Sequence, residues 1–114
     1  ITCEIPGLSR AARAYNALGD LNSALDRSAR AVELLERQRF IEGSEEEIHY
    51  TRYRVMRASG DPQAFGMGAR AEAGLSEKAA RIVNPDWRRS FEEIRLHQRI
   101  RRDHAVHTTI GRLA

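Results

Sequence analysis

His104 and His107 stand three residues apart, a spacing that sets two imidazoles on one helix face and could begin a metal site. The other histidines, His49 and His97, and the single cysteine, Cys3, have no spacing that supplies a third or fourth ligand. The expectation is no metal and no cofactor, with His104 and His107 solvated in a tail. A thiol nucleophile needs a neighbouring base and a cleft. Cys3 has no such neighbour in sequence and reads as a terminal thiol. Glu45, Glu46 and Glu47 could be drawn as paired carboxylates for acid–base work. Helix capping explains them better, because negative charge in a first turn complements the helix dipole. Ser90 lies in no nucleophile elbow. Gly66-Met67-Gly68 lacks the following Gly-Lys-Ser/Thr and the preceding strand of a phosphate loop. No set of residues remains that a reaction requires, and the chain reads as a non-enzyme.

Binding chemistry is better represented. Arg88, Arg89, Arg95, Arg99, Arg101 and Arg102 crowd the last helix. Arg95, Arg99 and Arg102 share one face, with Arg88 on the same side. Such a stripe suits phosphates or an acidic protein surface. Glu92, Glu93 and Asp103 are interleaved, and the Glu92–Arg95 spacing allows ordinary pairing within the helix. The stripe is therefore a solvated face, a contact for an acidic protein, or a nucleic-acid contact. The net charge of +3 and the pI near 9.6 favour acidic partners weakly and do not establish nucleic-acid binding.

The elements that would position these residues are helices. Leu8, Ala11, Ala12, Tyr15 and Leu18 recur at spacings of three and four. Leu21, Ala24, Leu25, Ser28, Ala31, Val32 and Leu35 continue the rhythm after Gly19-Asp20. Gly19 sits where one helix must end and the chain turn back. The small residues Ala12, Ala24, Ser28 and Ala31 fall where two helix backbones would approach. A tight antiparallel pair is predicted over 7–38. A length of 114 residues, 41% hydrophobic and 31% charged, bounds the chain to one all-α domain with a modest core. Its longest uncharged apolar run is far short of the ~20 residues that span a bilayer. No signal peptide is visible. A single cysteine makes no internal disulfide, so a cytoplasmic setting is expected. The chain begins at Ile1 and reads as a piece of a longer protein.

A second pair is predicted over 45–83. Ser44 with Glu47 has the spacing of a capping box. Ile48, Tyr53, Val55, Met56 and Ser59 form the apolar face of its first helix. Gly60-Asp61 repeats Gly19-Asp20 at a distance of 41 residues. Pro62 suits the first turn of the next helix, expected over 62–82. Ala64 and Ala71 reproduce the seven-residue spacing of Ala24 and Ala31, although this turn is one residue shorter. Gly66, Gly68 and Gly74 each cost about 1 kcal/mol against alanine in a helix, which points to close helix contacts or a bend near Gly74. Asp86 is the expected N-cap of a fifth, terminal helix over 86–104. Its stripe would be Trp87, Phe91 and Ile94, with Leu96 and Ile100 off that line and facing a neighbouring chain or the rest of a longer protein. Residues 105–114 read as a frayed tail or a short docking segment.

The first pair resembles a tetratricopeptide repeat, a helix-turn-helix unit of 34 residues. Its turn glycine would be Gly19, and its small and aromatic positions Ala12, Tyr15, Ala24 and Ala31. Leu8, Ala11 and Ser28 stand where the family has tryptophan, leucine and a large aromatic. The span from Ala69 to Ile100 resembles the helical ending of repeat arrays in large bacterial signalling proteins, which follow ATPase, cyclase or kinase modules. The resemblance implies a short solenoid of about five helices with the first helix of each pair on the inner surface. It implies a scaffold that binds a protein or peptide. The inner-surface residues would be Ser9, Arg13, Asn16, Tyr50, Arg54 and Arg57, with His49 and Tyr53 as replacements if the register shifts by one. The alternative site is the basic face of Arg95, Arg99 and Arg102, for nucleic acid. About two repeats are fewer than the roughly three needed for stability, so self-pairing into a homodimer is a further expectation.

Overall fold

A computed structural model describes residues 4–37 and 45–113. It is all-α: α1 (Glu4–Ala17), α2 (Leu21–Arg37), α3 (Glu45–Ala58), α4 (Ala64–Arg81), α5 (Pro85–Glu92) and α6 (Arg95–Leu113). Successive helices pack antiparallel in a slab of 43 × 42 × 23 Å. Helix α1 packs on α2, α3 on α4, both members of the first pair on α3, and α6 on α4. Cys3, the connection at 41–44 and Ser44 of the capping pair lie outside the described residues.

The two turns are built alike. Gly19 and Gly60 adopt φ of 82° and 77°, which an L side chain resists. Asp20 N–H donates to the Tyr15 carbonyl and Asp61 N–H to the Met56 carbonyl, each at 2.9 Å. Gly19 and Gly60 donate to carbonyls three residues back, completing a Schellman end on α1 and α3. The restarts differ. Asp20 Oδ1 accepts from Ser23 N–H at 3.1 Å and caps α2 directly. Asp61 Oδ1 accepts from Gln63 N–H at 2.8 Å, a tighter turn. Helix α4 accordingly begins at Ala64, after Pro62 rather than with it.

The core is two apolar clusters joined by Met67. Ile5, Ala31, Val32, Leu35 and Ile48 make one; Tyr50, Tyr53, Met56, Ala64, Ala71, Leu75 and Ile100 make the other. Of the three α4 glycines, only Gly68 marks a close contact. A Cβ there would lie 2.9 Å from the Tyr53 ring, whereas Gly66 and Gly74 have nothing within 4 Å and α4 runs through both.

The terminal segment departs most from expectation. Among the described residues six helices replace the expected five, because the expected helix over 86–104 breaks at Glu93-Ile94. Asn84, not Asp86, caps α5: its side-chain oxygen accepts from Asp86 N–H at 2.9 Å and Trp87 N–H at 3.1 Å. Trp87 is 71% exposed and Ile94 is exposed, while Ile100 is buried in the core and Leu96 packs against it. The break rotates α6 relative to α5, so the residues off the expected stripe become the inward ones. Helix α6 then continues to Leu113, where a frayed tail or a short docking segment was expected.

Candidate partner-binding groove

Three adjoining hollows run between α1, α3 and α6. The first, about 110 Å³, is lined by Arg13, Asn16, Thr51 and Arg54 among others. The second, about 270 Å³, shares Asn16 and Arg54 with it and adds Tyr53, Arg57 and Asp103. The third, about 260 Å³, lies between Tyr50, Arg54, Arg99, Arg102 and Asp103. Arg54 borders all three, so together they form one groove.

The turn residues explain this register. Arg13 stands six residues before Gly19 and Arg54 six before Gly60; Asn16 and Arg57 each stand three before. Equivalent positions of two like-ended helices face the same way, which places four polar side chains on one side. The register set by Gly60 is therefore the one that reaches the groove. Of the shifted register, His49 lines a different hollow between α3 and α4, and Tyr53 is a core residue, 1% exposed, that borders the second hollow.

Two expected surface residues need correction. Ser9 is 1% exposed, and its Oγ has no hydrogen-bond partner. It packs between helices rather than on the surface. Tyr50 is buried to 6%, with only its hydroxyl end at the third hollow. That hydroxyl donates to Asp103 Oδ2 at 2.6 Å. Burial first, and then the bond to Asp103, push the Tyr50 phenol up to about 12.

The groove is basic, with few of its charges neutralised. Arg13 lies 3.4 Å from Glu47. Arg54 sits 5.9 Å from the Tyr50 ring centroid, and Arg57 donates to the Tyr53 hydroxyl at 3.0 Å. Among the described residues, no carboxylate lies within ion-pair distance of Arg54, Arg57 or Arg99. The basic face of Arg95, Arg99 and Arg102 divides. Arg99 and Arg102 join the groove, while Arg95 is exposed and lines none of its hollows. Arg88 donates to the Ile82 carbonyl at 2.7 Å and closes the end of α4, and Arg101 pairs with Glu92 at 2.7 Å. The role of Asp103 was not legible in sequence, because its partner Tyr50 is 53 residues away.

Beside the packing of Ile100 and Leu96, a buried polar node ties α6 to α3 and α4. Glu46, 2% exposed on α3, receives Lys78 Nζ of α4 at 2.8 Å on Oε2. Its Oε1 lies 3.0 Å from Nε2 of His97, which is 4% exposed. His97 Nδ1 lies 2.7 Å from the Phe91 carbonyl, an acceptor only, so Nδ1 is the donating nitrogen. Nε2 is left facing the Glu46 carboxylate. Three helices meet at this carboxylate, and the end of α5 is tied to them through His97. Glu46 therefore works as a structural clasp, beyond its expected role in the helix dipole.

His104 and His107 pack against Phe65 with ring centroids 5.6 and 5.3 Å away. No group of three His, Cys, Asp or Glu among the described residues is arranged to hold a metal ion. No helix among them is long and apolar enough to cross a membrane. Compared with known protein families, curated proteins and solved structures, the chain has no match.

Proposed function

We propose that this chain is a protein-interaction module whose α1–α3–α6 groove holds an extended acidic peptide. It would act as a scaffold within a cytoplasmic regulatory protein, as a short tetratricopeptide-like stack of helix pairs. The supporting observation is the convergence of Arg13, Asn16, Arg54 and Arg57 with Arg99 and Arg102 on one connected groove. Guanidinium groups bind carboxylates through paired hydrogen bonds, and Asn16 suits the backbone amides of an extended chain. The two like turns and the matched burial of the two pairs agree with a repeated helix-turn-helix unit. The reading is one of binding and assigns the groove no turnover.

Fluorescence anisotropy with a labelled polyglutamate peptide tests this reading. Wild type is expected to bind it, and the Arg13→Glu/Arg57→Glu variant to lose binding while its circular dichroism is unchanged. Equal affinities would defeat the proposal. A second reading gains from the entry of Arg99 and Arg102 into the groove, namely a nucleic-acid contact. It predicts affinity for an oligonucleotide that falls steeply with added salt.

A further inference from the structure

We propose that the hollow between Tyr50, Arg54, Arg99, Arg102 and Asp103 seats a phosphate monoester carried on a side chain of the peptide ligand. This rests on the groove reading and narrows the chemistry of its ligand. The three hollows differ in charge. In the first, Arg13 already has Glu47 at 3.4 Å. In the second, Arg57 is directed at the Tyr53 hydroxyl, and Ala58 forms part of the wall. The third, about 260 Å³, gathers three guanidinium groups from two helices against one carboxylate. That carboxylate is engaged, because Asp103 Oδ2 accepts from Tyr50 at 2.6 Å and its Oδ1 lies 3.8 Å from Arg102 Nε. The Tyr50 phenol, pushed up to about 12, stays protonated at neutral pH and adds no negative charge.

Three cations and one anion leave two positive charges in the hollow. A phosphate monoester carries about −1.5 to −2 at neutral pH, whereas a carboxylate side chain would neutralise half of that charge. Arg99 and Arg102 are three residues apart on α6 and overhang the same side, with Arg54 opposite them on α3. Forked donors arriving from two directions suit a tetrahedral anion with several acceptor oxygens better than a planar one with two.

Inorganic phosphate shares this chemistry, and a nucleic-acid backbone shares part of it with one charge per phosphate. The test follows the arginine Nε–H resonances of the nitrogen-labelled full chain at fixed ionic strength. The probes are inorganic phosphate, a Gly/Ser/Glu peptide with one phosphoserine, the same peptide with glutamate at that position, and a single-stranded oligonucleotide. The phosphopeptide is expected to bind about tenfold or more tightly than the glutamate peptide or inorganic phosphate, moving Arg54, Arg99 and Arg102 most. Arg99→Gln/Arg102→Gln should erase the preference while the glutamate peptide still binds through Arg13 and Arg57. Equal affinity for the two peptides overturns this proposal and leaves the groove reading standing. Inorganic phosphate binding as tightly as the phosphopeptide overturns it too, as does tighter binding of the oligonucleotide. Failure of both peptides to bind defeats the groove reading and this inference together.

Discussion

Ile5 and Glu46 occupy the same place in the two helix pairs, fourteen residues before Gly19 and Gly60. Both are buried, at 0% and 2% exposure. Ile5 joins an apolar cluster; Glu46 joins Lys78 and His97. The exchange recurs along the seam. Ala12 and Tyr53, each seven before its glycine, are both buried. Ser28 and Gly68, each four after a buried alanine, are both buried as well. The first pair uses small residues on both helices. The second places a large ring on α3 and leaves out the Cβ on α4 that would strike it. Leu8 becomes His49, eleven residues before the glycine. The second pair thus keeps the geometry of the first and replaces an apolar end with a polar clasp. That clasp fastens α6, and α6 brings Arg99, Arg102 and Asp103 to the groove. The difference between the pairs is what completes the candidate site.

The largest way to break the comparison is at its polar end. Glu46→Ala leaves His97 buried and Lys78 unmatched, and should cost about 3–5 kcal/mol. Ile5→Val, at the equivalent position, should cost about 0.5–1.5 kcal/mol. Urea unfolding midpoints give both numbers, and similar losses at the two sites would refute a special role for the clasp. Substituting Glu46, Lys78 and His97 together with apolar residues should recover much of the loss, since paired buried charges contribute little net stability.

The seam predicts effects of opposite sign within one helix. Gly68→Ala gains up to about 1 kcal/mol of helix propensity. It loses about 1–3 kcal/mol by overpacking against Tyr53, so the net change is destabilising. Gly66→Ala and Gly74→Ala meet open space and should stabilise by about 0.5–1 kcal/mol each. Thermal melts of the three variants decide it, and stabilisation by all three would show that Tyr53 can move aside.

Acidity should produce the smallest effects. Burial, and then Arg70, hold the His49 imidazole below its usual 6.5. Below about 6.5 the unfolded chain binds the proton more readily than the folded one. This contribution is therefore present above that pH and lost as pH falls through the lowered value. His49→Leu, which copies Leu8, should flatten the acid limb of a stability–pH curve. Tyr50 has the opposite sense. Its stabilisation is present below 10 and is lost as pH rises through about 12, and Tyr50→Phe should flatten the alkaline limb. Limbs unchanged by either substitution would contradict these assignments.

The helix pairs were legible because their signals are local: a glycine, an acid beside it, and alanines at seven-residue spacing. Arg13, Asn16, Arg54 and Arg57 came from the resemblance to a helix-turn-helix repeat, and spacing alone left their register open by one residue. The break between α5 and α6 was not legible. No proline or glycine stands at Glu93-Ile94, and the break is held by His97 reaching back to the Phe91 carbonyl. A continuous helix was therefore assumed, which turned Trp87 inward and Ile100 outward, the reverse of what is found. Ser9 was misread for a related reason. A small polar residue on an inner face looks exposed until its neighbour's backbone closes over it. Long-range pairs such as Tyr50–Asp103 and Glu46–His97 leave no periodic trace.

Arg54 is the one residue common to all three hollows. The most direct test of the groove is the affinity of a labelled polyglutamate peptide for Arg54→Glu, with Arg70→Glu on the α3–α4 side as the control. The account predicts at least about a tenfold loss for Arg54→Glu and little change for Arg70→Glu. Unchanged affinity in Arg54→Glu, or an equal loss in both variants, would contradict it.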